Sequence, residues 1–531
     1  MLEDHALITR IVSRFHIIVT VIVALFAAAF LGISAGEGDF SNIYLAIFGA
    51  VFIALTIALG KKYWFVVVFA FTTQLPAVPI KNRLLELPEL AAVLGTVVFL
   101  LRYAVKRQAL SIIRKEHVPV LLYTGWVMII FTLHPVGLAD AGAALGGARF
   151  YAKILLALAA FLIMANQEVT EKDCKWILIL LLVGSILETF YQIALYFLPV
   201  HLIGLDAGMM LSEDPDSFYS WQQALAQVPI LLITLGFARY KASELFSLNR
   251  LWAVIGFGLS VVMIAMSGKR AALASVPVFA LSAAAVRREW GYVVLWLSGA
   301  ILAGSVIVLG HGDLFRLPLT IQRALSVLPA KWDSEMDLLA GGQDLFRAEL
   351  RRQAILKIEK NPWVGEGYQV NLSLAQALTA QYATRGGDTE LQVTPFAMSS
   401  AWHNTWLGYA ADFGIPASVL AGVIYLTVLR RAWKTFKELP PNSLTQTLVM
   451  YIFLYTVRDL AFSHTGGHSA TDAFARWWMY GLLVALALTH RKQLTAQSTT
   501  KPLAGGRSAA PSGYGDRPAR QPVRVQRPAT F

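Results

Sequence analysis

Fourteen apolar stretches, each close to the length of a helix that crosses a lipid bilayer, recur along this chain of 531 residues. A spanning helix needs ~20 mostly apolar residues, and within lipid the backbone must satisfy its own hydrogen bonds, which a helix does. We therefore predict an all-α polytopic membrane protein with about fourteen transmembrane helices, with about twelve as the alternative count. The stretches lie near residues 15–34, 43–60, 63–80, 85–101, 118–133, 150–164, 176–198, 221–237, 251–266, 271–286, 292–309, 405–429, 447–461 and 473–489.

Lys and Arg residues concentrate in alternate loops between these stretches, as they do in the cytoplasmic loops of membrane proteins. The basic loops contain Lys61 and Lys62, residues 102–115, residues 239–250, Arg287 and Arg288, residues 430–437, and Arg491 and Lys492. This pattern places both termini in the cytoplasm. The first stretch could instead be a signal peptide, but Glu3 and Asp4 interrupt the basic region that such a peptide needs, so we favour a retained helix.

The net charge of +12 does not indicate nucleic-acid binding. The last segment, from Arg491, contains eight Lys or Arg and one Asp, and most of the remaining excess lies in the short basic loops. Such a distribution determines topology and favours contact with anionic lipid headgroups. We therefore expect the lipid bilayer, and no nucleic acid, as a partner. The single cysteine, Cys174, excludes an intrachain disulfide.

The chain divides into four predicted regions. Residues 1–309 form an N-terminal transmembrane bundle, 310–402 an external loop, 403–490 the C-terminal membrane helices, and 491–531 a disordered basic tail rich in Pro, Gly and Ser. Within the loop, residues 344–360 form a helix with Phe346, Leu350, Ala354 and Ile358 on one stripe, which we expect to lie on the membrane face as an amphipathic cap.

Several cations lie on the external side, where the positive-inside rule makes each of them an exception. They are Arg149, Lys269, Arg270, Arg347, Arg351 and Arg352. An arginine binds phosphate oxygens with two parallel N–H donors and keeps its charge, which suits the holding of a pyrophosphate. The alternatives are snorkelling of Arg270 to the interface and, for Arg351 and Arg352, a solvated helix face, which we favour for these two.

His403 lies where the polar loop meets the next apolar stretch. Its ordinary pKa near neutrality allows it to act as a general base, and Asn404 can cap the helix that follows. The alternative is a polar helix start without a chemical role. Asp412 lies nine residues further, about 13 Å along a helix, so we expect it to support packing rather than act with His403.

Other polar residues fall within or beside the predicted helices. Arg458 and Asp459, near the outer end of one helix, are either functional or a structural ion pair. His464 and His468 follow them, but two histidines without an acid cluster seldom bind a metal, so we predict no metal site. Glu188, Tyr191 and Gln192 could line the cavity that Arg458 and Asp459 would face if these two residues are functional.

Three motifs together make the chain resemble the O-antigen ligase and O-antigen polymerase family. His403-Asn404 followed after nine residues by Gly414 is similar to one motif, although Ala417 stands where the family has a second glycine. Arg347 followed by Pro362-Trp-Val-Gly-Glu-Gly367 is similar to the second, and Ser267-Gly-Lys-Arg270 to the third. The resemblance covers about residues 266–424.

The resemblance implies a bacterial inner-membrane glycosyltransferase with a large, partly helical periplasmic loop. Its donor would be an undecaprenyl-pyrophosphate-linked glycan, and its acceptor a hydroxyl of another glycan or of lipid A-core. Such enzymes use no metal and no other cofactor. His403 would be the catalytic base, and Arg270, Arg347 and, as a weaker candidate, Arg149 would bind the pyrophosphate. Asn404, Asp412, Gly414, Arg458 and Asp459 would support the site.

Two other functions remain open on the sequence. A flippase of lipid-linked glycans, or another polytopic transporter, would place its essential charges at the middle of the membrane, and it usually shows internal repeats, which this sequence lacks. Such a transporter would need no outward-facing histidine. The second open function is a non-catalytic scaffold of a polysaccharide assembly machine. The sequence does not distinguish polymerisation of repeat units from ligation to lipid A-core or to protein.

Overall fold

The computed structural model describes residues 40–73, 75–80, 83–106, 114–135, 148–197, 224–245, 250–368, 402, 404–464 and 469–500. These residues are helical apart from turns and one short antiparallel hairpin, β1 (Pro76–Ile80) and β2 (Arg83–Glu86). The α-helical class is therefore confirmed, and the hairpin was not predicted. The first apolar stretch, 15–34, lies outside the described residues.

The helices follow the apolar stretches in order. They are α1 (Phe40–Leu59), α2 (Trp64–Thr73), α3 (Leu87–Lys106), α4 (Val118–Leu133), α5 (Ala148–Ala165), α6 (Glu171–Phe197), α7 (Gln227–Arg239), α8 (Ala242–Leu245), α9 (Leu251–Met266), α10 (Arg270–Arg287), α11 (Trp290–Gly310), α12 (Leu319–Leu325), α13 (Ser334–Lys360), α14 (Thr405–Phe413), α15 (Ile415–Glu438), α16 (Leu444–Phe462) and α17 (Ser469–Thr500).

Six helices in the described part of the chain are long and apolar enough to cross a membrane. Their spans are Leu87–Ala104, Ala148–Ala165, Glu171–Ala194, Arg270–Arg287, Trp290–Gly310 and Ile415–Glu438. Four further apolar helices, α2, α4, α7 and α9, are shorter, with 10–17 residues. The protein is thus an integral membrane protein, while the count of fourteen crossings stays a prediction.

Two predicted spans differ in the structure. The stretch 63–80 is helical only to Thr73, because Pro76 and Pro79 cannot continue a helix, and the chain turns into β1 instead. The stretch 405–429 is two helices, α14 and α15, which meet at Gly414. Gly414 has a φ of 79°, which ends α14, and Pro416 in the first turn of α15 starts the next helix.

The long predicted loop contains two helices where it is described. Helix α13 starts at Ser334, ten residues before the predicted start at 344. It includes Gly341 and Gly342, although glycine is unfavourable within a helix. Gln322 of α12 and Asp333 hold α12 and α13 together: the Gln322 amide donates to Asp333 Oδ2 (2.8 Å), and the Asp333 N–H donates to Gln322 Oε1 (3.1 Å). Helix α12 also packs against α9 and α10.

The apolar stripe of α13 faces protein. Leu350 and Ala354 are fully buried in a small core with Trp402 and Ala411, and Ile358 is partly buried beside them. The predicted role of this stripe, to lie on the membrane face, is therefore wrong for these three residues, because α14 and Trp402 cover them. The side chain of Phe346 lies outside the described residues.

Helix α16 is central to the part that carries the site, since it packs against α6, α7, α10 and α15. This compact unit runs to Thr489, and a second unit starts at His490. Helix α17 continues to Thr500, beyond residue 491, where we predicted the disordered tail to start. Residues 501–531 lie outside the described part.

Candidate active site

A cavity of about 1540 Å³ lies among α7, α9, α10, α11, α12, α13 and α16. Among the described residues that line it there are five Lys or Arg and no Asp or Glu. The cations are Lys269, Arg270, Arg323, Arg347 and Arg458. Much of the apolar lining comes from α11, which contributes Leu295, Trp296, Ala300, Ala303 and Ile307. The cavity therefore combines a cationic region with an apolar wall, which suits a ligand with an anionic head and an apolar tail.

The first two cations lie at a tight turn between α9 and α10. Gly268 has a φ of 69°, which a residue with a side chain rarely adopts. The Ser267 hydroxyl donates to the carbonyl of Ile264 (2.6 Å) and accepts from the N–H of Lys269 (3.3 Å). Arg270 then begins α10, and its Nε donates to the backbone carbonyl of Arg323 (3.3 Å). The turn and α12 together orient the Arg270 side chain.

The Lys269 ammonium interacts electrostatically with the Glu188 carboxylate. Burial lowers the pKa of its ammonium, the Glu188 carboxylate opposes this by favouring the charged form, and Arg458 lowers the pKa further. Glu188 in α6 also accepts a hydrogen bond from Gln227 (3.4 Å), a residue that lines the cavity. Glu188 therefore interacts with two residues that line the cavity, but, unlike the prediction, it is not among the described residues that line the cavity itself. Tyr191 and Gln192 are not among the described residues that line it.

Arg347 reaches the cavity from α13. It lies three residues before Leu350 and seven before Ala354, so it continues the stripe that packs against Trp402 and Ala411. The packing of α13 against α14 therefore determines where Arg347 lies. Arg351 and Arg352 are exposed and are not among the described residues that line the cavity, and Arg352 pairs with Glu349 at 2.5 Å. Their exposure agrees with the solvated face that we favoured.

Arg458 and Asp459 do not pair with each other. Asp459 forms an ion pair with Arg476 of α17 (Oδ2 to Nε, 2.8 Å), and Arg476 donates a hydrogen bond to the Tyr425 hydroxyl (2.9 Å). The Nε of Arg458 donates instead to the Ser275 hydroxyl of α10 (3.0 Å), and the residue lines the cavity. Successive residues of a helix point about 100° apart, which explains why the two neighbours face different surroundings.

His403 itself lies outside the described residues, but the start of α14 is described. The Asn404 side chain accepts from the N–H of Leu407 (3.0 Å), so Asn404 is the N-cap that the sequence predicted. The N–H of Thr405 donates to the Ser463 carbonyl (2.7 Å), and the Trp406 indole donates to the Ser463 hydroxyl (2.6 Å). Ser463 precedes His464, which lines the cavity. The start of α14 is thereby bound to the end of α16 at the cavity.

His464 was one of two histidines weighed as metal ligands. It is exposed and lines the cavity. His468 lies outside the part of the chain that the structure describes, so their pairing is untested.

Asp412 has a structural contact. It is fully buried, and its Oδ1 accepts from the Trp402 indole (3.1 Å). Lys357 of α13 lies 4.9 Å from the centre of the Trp402 ring, close enough for a cation–π contact. These contacts join α13, Trp402 and α14, which agrees with the supporting role expected for Asp412.

The glycines of two motifs pack directly against each other. A Cβ atom on Gly414 would lie 2.1 Å from the Trp363 carbonyl oxygen, and one on Gly365 would lie 2.5 Å from the Asp412 carbonyl oxygen. The N–H of Gly367 donates to the Asp412 carbonyl (2.8 Å), and that of Ile415 donates to the Pro362 carbonyl (2.8 Å). The Pro362–Gly367 segment therefore lies backbone to backbone on the junction of α14 and α15.

Arg149 lies in a different environment from the other predicted phosphate ligands. Its guanidinium binds the buried Glu89 carboxylate through two hydrogen bonds, Nε to Oε1 (2.9 Å) and Nη2 to Oε2 (2.7 Å), and Lys153 pairs with Glu86 (2.6 Å). It is not among the described residues that line the cavity. Its geometry therefore favours a structural role, and we do not include it among the proposed phosphate ligands.

Arg323 was not singled out from the sequence, although it lines the cavity. A usable signal was present, because it is a further basic residue in a predicted external loop. Ser275 was also missed, and its sequence context of small residues in an apolar helix offered no signal.

The comparison with protein families gives a match to the part of the chain that contains the three motifs. The family model described as O-antigen ligase matches residues 255–422, from within α9 to within α15. The match includes the three motifs and confirms the resemblance seen in the sequence. The comparison with curated proteins gave no significant match.

Proposed function

Because residues 255–422 match the family model described as O-antigen ligase, we propose that the protein is a glycosyltransferase of the O-antigen ligase or polymerase type. It would transfer a glycan from an undecaprenyl-pyrophosphate carrier to an acceptor hydroxyl at the periplasmic face of the inner membrane. One observation carries the proposal. Arg270 and Arg347, which belong to different motifs and lie on different helices, line the same cavity.

The shape of the cavity supports a lipid-linked donor. Arginines at its cationic region can bind pyrophosphate oxygens in bidentate fashion. On α11, Trp296 and Ile307 both line the apolar wall, and eleven residues of helix correspond to about 16 Å, or roughly half the hydrocarbon core of a bilayer. A polyprenyl chain can lie along this wall while its pyrophosphate meets the arginines.

In the proposed reaction, His403 removes the proton from the acceptor hydroxyl as its oxygen attacks the anomeric carbon of the donor sugar. The bond from that carbon to the pyrophosphate oxygen breaks, and undecaprenyl pyrophosphate leaves with the electron pair. The attack comes from the opposite face, so the anomeric configuration is inverted. Arg270 and Arg347 stabilise the negative charge that develops on the leaving group, and they cannot lose their protons to it.

The contacts of α14 favour a role for His403. The Thr405 and Trp406 hydrogen bonds to Ser463 hold the helix start that follows His403 beside the end of α16, whose Arg458 and His464 line the cavity. A general base must come within hydrogen-bond reach of the proton that it removes. The distribution of Lys and Arg in the loops supports a periplasmic location for this end.

The competing function, a flippase or other transporter, predicts a different result for His403→Ala. If the protein is the proposed enzyme, this variant, with its insertion in the membrane verified, loses surface polysaccharide and accumulates lipid-linked donor on the outer leaflet. Unchanged surface polysaccharide would sink the catalytic proposal. Donor accumulation on the inner leaflet of a deletion strain would favour the flippase.

A size analysis of surface glycan in a deletion strain separates ligase from polymerase. A single repeat unit on the acceptor indicates a missing polymerase. Undecorated core together with long lipid-linked chains indicates a missing ligase. If the deletion strain has surface glycan of the same length and amount as the wild-type strain, both assignments are contradicted.

A further inference from the structure

Arg458 is a partly buried cation of α16 that lies beyond the segment matched by the family model. Its neighbour Asp459 forms an ion pair with Arg476, so the acid next to Arg458 in sequence pairs with a different cation. The sequence predicts a membrane span at residues 447–461, and a charge within such a span is energetically costly and usually faces a polar cavity or a partner. Arg458 lines the same cavity as Arg270 and Arg347.

Two contacts hold the Arg458 guanidinium. Its Nε donates to the Ser275 hydroxyl (3.0 Å), and its Cζ lies 5.5 Å from the centre of the Tyr455 ring. Ser275 is fully buried, and its hydroxyl in turn donates to the Ala271 carbonyl (2.6 Å). The single hydroxyl proton is used on Ala271, so the oxygen must accept from Arg458. The hydrogen-bond direction is thus determined by the two partners.

The hydrogen bond to Ser275 uses only the Nε of the Arg458 guanidinium. The group is planar, with its Nε on one edge and the two Nη atoms on the edge away from it. With Nε bound to Ser275, the Nη edge is the part available for bidentate contact with an anion. The described residues supply no hydrogen bond to either Nη atom of Arg458.

We propose that Arg458 is a third phosphate-binding residue for the lipid pyrophosphate and that Ser275 is its positioning residue. The inference rests on the proposed function and deepens it. The donor pyrophosphate is a diester with two negative charges, and breaking its bond to the sugar leaves a further negative charge on the released pyrophosphate. A third arginine, held ready by Ser275 before the reaction, offsets that additional charge.

The test uses purified full-length protein in lipid nanodiscs, with undecaprenyl pyrophosphate as the probe. Arg458→Lys should raise the Kd for the probe about 10-fold, because lysine lacks the second parallel donor. Ser275→Ala should raise it about 3-fold, since the arginine keeps its charge but loses its orientation. Ser275→Thr retains the hydroxyl and should stay within about 2-fold of wild type.

Ser260→Ala is the matched control. Ser260 is also buried in an apolar helix, α9, and its hydroxyl donates to the Gly256 carbonyl (2.7 Å), but it is not among the described residues that line the cavity. Its removal should leave the Kd unchanged. Arg458→Lys should raise the Kd for undecaprenyl monophosphate, which has one phosphate fewer, less than it raises the Kd for undecaprenyl pyrophosphate.

The outcomes separate this inference from the proposed function. If wild-type protein does not bind undecaprenyl pyrophosphate, the proposed donor is wrong. If wild type binds it and Arg270→Lys and Arg347→Lys weaken binding, but Arg458→Lys binds like wild type, only the role of Arg458 is overturned. If Ser275→Ala proves unfolded by size-exclusion chromatography, Arg458→Lys decides the binding role, and weak binding by a folded Ser275→Thr variant would overturn the positioning role.

Discussion

The Trp402 indole donates to Asp412 Oδ1 at 3.1 Å, and this bond ties the residue before His403 to the last turn of α14. Both side chains are buried, with 2% of Trp402 and 0% of Asp412 exposed. Leu350 and Ala354 of α13 pack around the same tryptophan. The helix that carries Arg347 and the helix that follows His403 are therefore held in register by one small core.

This bond predicts different effects for two substitutions of Asp412. Asp412→Asn keeps an oxygen that can accept from the indole and should retain most of the stability and transfer activity. Asp412→Ala leaves the buried indole N–H without its acceptor and should cost about 1–3 kcal/mol of folding free energy. Thermal unfolding in detergent measures the difference. Equal stability of the two variants would contradict the role assigned to the carboxylate oxygen.

Gly414 and Gly365 should not tolerate alanine. Both have positive φ, and a Cβ atom would lie within 2.5 Å of a backbone carbonyl oxygen. Each substitution should cost about 2 kcal/mol or more through strain and displacement of the opposing backbone. Gly256→Ala is the control, because nothing lies within 4 Å of its Cβ position in α9. A Gly414→Ala variant as stable as Gly256→Ala would refute the backbone packing described at this junction.

Arg270→Lys and Arg347→Lys should each lower transfer about 10-fold or more, because a lysine cannot make the two parallel donor contacts. Arg351→Lys is the matched control for Arg347, since it lies four residues further on the same helix and is exposed. The measurement is transfer from lipid-linked donor by purified protein. Full activity of both Arg270→Lys and Arg347→Lys would remove their assignment to the pyrophosphate.

We expect Arg149 to stabilise the fold rather than to bind phosphate. Removal of one member of its buried pair with Glu89 leaves the other charge without its main partner, so Arg149→Met should cost about 3 kcal/mol or more. The double variant Arg149→Met with Glu89→Met should recover much of that loss. Thermal unfolding and the Kd for undecaprenyl pyrophosphate should be measured together. A stable Arg149→Met variant with weakened probe binding would return Arg149 to the phosphate ligands.

Much of the fold could be predicted from the sequence because the signals are local. The stretches 118–133 and 251–266 coincide with α4 and α9, since an apolar run of that length between polar residues has few alternatives to a membrane helix. Asn404 was predicted as an N-cap from residue type and position alone, and its side chain does accept the N–H of Leu407. The break at Gly414 was missed because hydropathy continues unchanged across it.

The sequence by itself determined the membrane class, the order of the helices and the set of cations that break the positive-inside pattern. Only the tertiary structure decided which of these cations share a cavity. Arg270, Arg323, Arg347 and Arg458 line one cavity, whereas Arg149 is bound by Glu89, and Asp459 is bound by Arg476 rather than by Arg458. Hydropathy and capping depend on neighbours along the chain, but the convergence of charges depends on how helices distant in sequence pack together.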